Sequence, residues 1–250
     1  MFDVLPIPAF QDNYIWLLHN GKHAAVVDPG DDYPVVQALH DLDLMLDGIL
    51  ITHHHDDHIG GVAKLLEKWP VPVYAPRHAS YLFPHTIVEE GTRVLLPTLD
   101  TQFSVLAIPG HTLEHVAYYG ANCLFCGDTL FGAGCGRLFE GTPSQMFASL
   151  QRLANLPPET HVYCGHEYTE HNLGFARSLD PNNDKLIARQ QDTIEKRRKG
   201  EPTLPSTIGL ELETNPFLRC SSAPFQAVSG IQNPDPVQVF AAIRIKRNNY

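Results

Sequence analysis

The 250-residue sequence predicts an α/β fold. Apolar runs of strand length end repeatedly at turns bearing histidine or aspartate. Stretches with apolar residues at helical spacing stand between them, and strand, helix, strand is the rhythm of a βαβ unit. After His171 the pattern becomes chiefly helical, which predicts a small helical domain behind the α/β one.

In chain order, residues 2–8 and 14–18 read as short strands around the polar turn Gln11-Asp12-Asn13. Residues 23–27 form a strand that stops at Asp28-Pro29-Gly30, a turn signal. Residues 34–45 carry Val35, Val36, Leu39 and Leu42 at helical spacing. Residues 48–51 are a branched, buried strand that runs straight into Thr52-His53-His54-His55-Asp56-Asp57-His58. Helical spacing resumes over 62–69. The histidine cluster therefore occupies a strand-to-helix loop at the carboxyl end of a strand, where open α/β sheets place ligand sites.

Residues 71–75 read as a strand and 78–83 as a short helical or irregular piece. His78 and His85 are isolated and suit a surface or packing role. A strand over 103–108 ends at Gly110-His111-Thr112. A hairpin over 115–119 and 122–126 ends at Gly127-Asp128-Thr129, and a strand over 160–164 ends at Gly165-His166-Glu167. His115, at the start of its strand, suits packing or a hydrogen bond. Between these lies an amphipathic helix over 144–153, with Ser144 as its N-cap after Pro143. Helices over 173–179, 184–199 and 236–247 follow, the last two joined by an irregular connection through Pro202, Pro205 and Pro216. The basic run Lys196-Arg197-Arg198-Lys199 suits a solvent-facing helix C-terminus.

A net charge of −10 argues against general affinity for nucleic acid or membranes. No apolar run approaches membrane length, and no signal core follows the start, so a cytoplasmic location is expected. Five cysteines without a secretory signal predict reduced thiols. Cys123 and Cys126 match a C-x-x-C spacing but lie in an apolar run, which points to packing.

Imidazole and carboxylate are the ligands that borderline divalent metals prefer. His53 and His55, two apart, point the same way in extended backbone; Asp57 continues the alternation and His58 follows as the helix begins. So many ionisable groups at the end of a buried strand require a metal or other partners. Asp28 lies at another strand end and reads as structural support for ligands. Two cations sharing a water could hydrolyse esters, thioesters, amides, phosphodiesters or lactones, and the ligand types alone do not choose among these.

His53-x-His55-x-Asp57-His58 resembles the signature of the metallo-β-lactamase superfamily. That resemblance implies a four-layer αβ/βα sandwich with His53, His55 and His111 on one metal. It implies Asp57, His58 and His166 on the other, with Asp128 bridging; Asp56 stays outside the set. Zinc is the implied metal, with iron or manganese as alternatives. The helical C-terminal region, Gly134-Cys135-Gly136-Arg137-Leu138-Phe139-Glu140-Gly141-Thr142 and Thr214-Asn215-Pro216-Phe217 resemble the glyoxalase II (hydroxyacylglutathione hydrolase) family. The resemblance covers both expected domains, a catalytic one over 1–168 and a helical substrate-binding one over 169–250. It implies hydrolysis of S-D-lactoylglutathione to D-lactate and glutathione by a metal-bridging hydroxide, the second step of methylglyoxal detoxification, in a monomer. Asp57 and Asp128 are the implied catalytic carboxylates. Arg137, Arg244 and Arg247 would meet the glutathione carboxylates, with Tyr168 and Phe139 lining the site. Phe139 stands where some relatives have tyrosine, and Arg247 where many have lysine.

Overall fold

The computed structural model describes residues 2–250; Met1, with which the expected catalytic domain begins, lies outside them. The described chain falls into two compact units. One runs to Ala107 and resumes over Glu114–Gly127; the other comprises Ile108–Leu113 and Asp128–Tyr250. No described helix is long and apolar enough to cross a membrane.

The first unit opens with β1 (Asp3–Ala9) and β2 (Asn13–His19), an antiparallel pair. β1 is an edge strand, which is where Pro6 and Pro8 cost no ladder bonds. β3 (His23–Val27) leads through α1 (Asp32–Asp41) to β4 (Met45–Leu50), which lies parallel to β3. Helical spacing predicts that α1 extends to Met45, but the helix stops at Asp41. Asp43 adopts a left-handed conformation (φ 52°), and the Leu44 and Asp43 amides turn back to the carbonyls of Leu39 and His40. This Schellman-type cap releases Met45 into the strand. α2 (Asp56–Ile59), α3 (Val62–Lys68), β5 (Val73–Ala75) and β6 (Thr86–Ile87) follow; β5 and β6 continue the sheet in parallel. Residues 78–83 are irregular.

Val35 and Leu39 of α1 and Val62 and Leu65 of α3 pack on Ala24, Val26, Ile49 and Ile51. Alternate residues Ala25, Val27 and Leu50 point to the opposite face and are equally buried. A sheet covered on both sides explains why these strands read as continuous apolar runs. β7 (Arg93–Leu96), β8 (Thr101–Ala107), β9 (Val116–Gly120) and β10 (Cys123–Gly127) form an antiparallel ladder in the same unit. Ala121 and Asn122, both left-handed, make the two-residue turn of the last hairpin. The Tyr118 hydroxyl of β9 reaches the carbonyls of Ile51 (2.8 Å) and Tyr74 (3.0 Å), joining this ladder to the ends of β4 and β5.

The second unit begins with the short hairpin β11 (Leu130–Phe131) and β12 (Gly134–Cys135). α4 (Pro143–Ala154) is capped by Thr142, not Ser144. The Thr142 hydroxyl accepts from the Gln145 amide and Gln145 reaches back, while Pro143 takes the first helical position. β13 (His161–Cys164) precedes α5 (Thr169–Leu179) and α6 (Asp184–Arg198). β14 (Ser206–Thr207) pairs with β13 and opens α7 (Ile208–Thr214), so part of the expected irregular connection is helical. α8 (Ala223–Ser229) and α9 (Pro236–Asn248) complete the chain. A buried ion pair, Arg189–Glu211 at 2.6 Å, sits behind the hairpin. Glu211 accepts from the Ala133 amide (2.8 Å), and Asn215 donates to the carbonyls of Gly134 (2.9 Å) and Phe131 (3.2 Å). The helices thereby hold β11 and β12 in place.

Candidate metal centre

In the first unit the parallel pairing of β3 and β4 sets two strand ends side by side. Asp28 takes a left-handed turn (φ 53°) there, and its carboxylate accepts from the Thr52 amide and hydroxyl, both at 2.7 Å, and from His58 Nδ1 at 3.1 Å. The Thr52 proton thus goes to Asp28, so the same hydroxyl can only accept from His53 Nδ1–H, 3.0 Å away. Both hydrogen bonds leave Nε2 of His53 and His58 as the lone-pair nitrogen. His53 Nε2 lies 3.1 Å from His55 Nδ1. His55 ends the extended segment as N-cap of α2, whose first turn carries Asp57 and His58. Asp57 accepts from Asn13 Nδ2 at 2.9 Å, and its backbone passes so close to Gly30 that any Cβ there would collide with the Asp57 carbonyl. Asp56 is exposed. His115 is buried, stacked on His53 at 4.6 Å, with Nδ1 3.1 Å from the Val116 carbonyl.

In the second unit, Asp128 Oδ2 lies 3.2 Å from His166 Nε2 and 3.5 Å from His111 Nε2. His111 Nδ1–H donates to the Arg137 carbonyl at 2.8 Å, which again leaves Nε2 facing the carboxylate. Gly136 is required at its position, because a Cβ would strike the Asp128 carbonyl. His166 is stacked on Tyr168, 4.7 Å between ring centroids and 3° between planes.

His111 and Asp128 line a cavity of about 410 Å³, within the range of small-molecule sites. Arg137, Arg244, Arg247, Tyr168 and Phe139 also line it. Arg244 and Arg247, one turn apart on α9, face it together. Arg244 is buried, donates to the Cys135 carbonyl at 2.7 Å and lies over the Phe217 ring. Arg247 donates twice to Asn172 Oδ1, at 3.0 and 3.2 Å. Burial first, then the charges of Arg244 and Arg137, hold the Arg247 guanidinium below its usual pKa. Three cations converging on one cavity of an acidic chain make a site for an anion. Phe139 is exposed and stands edge-on to His111 at 5.2 Å. His171 and Asn172 also line the cavity and escaped the sequence reading. Their only signal was their position one turn into the helix that follows His166.

A divalent metal fits these donors. Two nitrogens around a tetrahedral ion stand about 3.4 Å apart, close to the His53–His55 and Asp128–His166 separations above. For His53, His58 and His111 the hydrogen bonds at Nδ1 leave Nε2 as the ligating nitrogen. Exposed acidic clusters lack this preparation.

Comparison with known proteins agrees on family and fold. Residues 9–166 match the model of the metallo-beta-lactamase superfamily, and residues 167–250 match that of the hydroxyacylglutathione hydrolase C-terminus. The hydroxyacylglutathione hydrolase of Methylobacillus flagellatus is 56% identical over 250 residues, the whole of both chains. That of Nitrosomonas europaea is 50% identical over 257 residues, covering 100% of this chain and 97% of the relative. Among solved structures, ETHE1 from Myxococcus xanthus superposes with a TM-score of 0.65 at 26% identity, covering 99% of this chain and 98% of its own. TTHA1623 in a di-iron-bound form superposes with a TM-score of 0.61 at 28% identity, covering 86% of this chain and 100% of its own.

Proposed function

The chain belongs to the hydroxyacylglutathione hydrolase family of the metallo-beta-lactamase superfamily, and from that membership we propose which of its residues carry the reaction. The chain is a thioester hydrolase that cleaves S-D-lactoylglutathione to D-lactate and glutathione, the activity of the glyoxalase II family. It binds divalent metal through His and Asp side chains. We assign two zinc ions, one to His53, His55 and His111 and one to Asp57, His58 and His166, with Asp128 shared. The order of the motifs and the prepared imidazole tautomers support the assignment. Iron is the second reading, favoured by the di-iron-bound neighbour. Bound divalent metal supplies Lewis acidity and a water acidic enough to attack near neutral pH.

The chain's own residues prepare the rest. Asp28 and the Arg137 carbonyl engage Nδ1–H of His58 and His111, so that Nε2 is the nitrogen each ring offers to a metal. Arg137, Arg244 and Arg247 bind the two glutathione carboxylates. Arg244 is held in advance by the Cys135 carbonyl, which lowers the ordering cost of binding. Tyr168 bonds the peptide part and, stacked on His166, fixes that ring. Phe139 lines the substrate site as an apolar wall. Glutathione leaves as a thiolate, a group acidic enough that no side chain need protonate it.

We divide the chain into a catalytic domain over 1–168 and a helical substrate-binding domain over 169–250, in keeping with family matches that meet between residues 166 and 167. The enzyme works as a monomer in the cytoplasm; its five buried free cysteines are consistent with a reducing compartment.

The observation that carries this reading is the convergence of three guanidinium groups on a cavity that His111 and Asp128 also line. The test is cleavage of S-D-lactoylglutathione beside a matched thioester lacking glutathione, before and after chelation, with metal counted by mass spectrometry. Chelator-sensitive cleavage that prefers the glutathione thioester, with at least two zinc equivalents per chain, is expected. Equal rates on both thioesters would remove the arginine assignment, and full activity with one bound ion would remove the two-ion assignment.

A further inference from the structure

His78, which reads from sequence as an isolated surface histidine, is not isolated in the fold. The irregular segment after β5 carries it against His54, with ring centroids 3.6 Å apart and planes 7° apart. Glu114, on the segment entering β9, brings a carboxylate to the same place. One ligand atom from each of His54, His78 and Glu114 lies within 4.8 Å of the other two. All three belong to the first unit. His54 is the histidine of the Thr52–His58 loop that the family assignment leaves without a metal.

We propose that His54, His78 and Glu114 form an additional divalent-metal site that takes an ion of the zinc class. The donor set, two imidazoles and one carboxylate, is one that zinc accepts with a fourth position left to water. Around a tetrahedral ion these donors would stand about 3.4 Å apart, so they need to close by roughly 1 Å. His78 must also turn out of the stack to aim its lone pair. Ala79 and Ser80 beside it are exposed, so the segment has room for this movement.

Two further features favour a cation here. Glu114 Oε2 is buried and has no hydrogen-bond partner, and a carboxylate oxygen left in that state is costly. The Tyr81 hydroxyl is likewise buried and unpartnered. Burial first, then the charges of Asp28 and Glu114, push its phenol up. His78 Nδ1 lies 2.6 Å from Ser80 Oγ. The Ser80 amide donates to the same Nδ1 at 3.3 Å, so ligation through Nε2 displaces the proton that this tautomer carries there. An ion at this site would tie the segment between β5 and β6 to His54, and so brace the loop that carries His53 and His55.

The test is metal content. Full-length wild type, His78→Ala and Glu114→Ala are saturated with zinc, passed over a weak chelating resin and analysed for zinc per chain. Wild type is expected to keep one equivalent more than either variant. Equal content in all three would overturn the proposal. The result is a difference between variants, so it stands apart from how many ions His53, His55 and His58 help to hold; a His58→Ala control reads that separately. Should a variant misfold, wild-type crystals soaked in zinc decide the matter by anomalous scattering. A peak about 2.0–2.2 Å from a His78 ring nitrogen is expected, and a map with peaks elsewhere but none there would overturn it.

Discussion

The two units prepare their candidate metal-binding side chains in different ways. In the first, the donors fall within one short loop, and a single carboxylate steadies it. Asp28 holds the Thr52 amide, the Thr52 hydroxyl and His58 directly, and His53 through that hydroxyl. In the second, His111, Asp128 and His166 come from separate segments, and the two histidines have neighbours of their own: His111 the Arg137 carbonyl, His166 the Tyr168 ring. A contiguous loop can share one anchor, and the loss of that anchor is felt by several donors at once. A dispersed set needs several anchors, and the loss of one stays local.

The largest expected effect tests whether the second unit is as dispersed as this contrast makes it. Arg189→Met leaves Glu211 charged and buried behind the β11–β12 hairpin, a change that typically costs about 3–5 kcal/mol. Urea unfolding should show that loss, and a loss under 1 kcal/mol would mean that the hairpin has other support. Asp28→Asn tests the shared anchor. Removing a partner behind a metal ligand weakens metal binding by about 10- to 100-fold, and chelator competition should show weakening in that range. Binding within twofold of wild type would break the comparison at its centre.

Arg247→Ala should raise KM for glutathione thioesters about tenfold with kcat little changed, since the lost contact is made equally before and during reaction. Arg244→Ala should raise KM and also lower stability, because its guanidinium ties the Cys135 carbonyl and covers Phe217. An unchanged KM would remove either residue from the pocket. The smallest effect concerns His171, whose imidazole pKa is lowered by burial first and by Arg247 second. The unfolded chain then takes up this proton before the folded one does. Stability is therefore lost as pH falls from about 6.5 toward the lowered folded value. His171→Gln should soften the drop in Tm between pH 7 and 5 by on the order of 1 °C. In Arg247→Ala, NMR titration should find the His171 pKa moved up toward its usual value.

Much of this was legible because strand ends announce themselves. A branched run followed by Gly-His or Gly-Asp marked His111, Asp128 and His166, and the Thr52–His58 loop needed no partner from elsewhere in the chain to be read. Other features were hidden for physical reasons. α1 ends through Asp43 in a left-handed turn, where a glycine would have given the signal. Ser144 looked like a cap, but proline fits the first helical position and pushes the cap back to Thr142. α7 lies among prolines that suggest irregular chain, yet Thr207 caps it and Glu211 anchors it through Arg189. Asn172 and His78 are ordinary residues in sequence; only long-range contacts give them neighbours.

The pocket arginines also bear on how the enzyme lets go. In the proposed assignment they hold the glutathione portion, which hydrolysis leaves intact. The product therefore keeps the carboxylates by which the substrate was held, and mutual repulsion among Arg137, Arg244 and Arg247 is relieved equally by either molecule. Such contacts strengthen binding without favouring the transition state. On that assignment free glutathione competes with the thioester for the same seat.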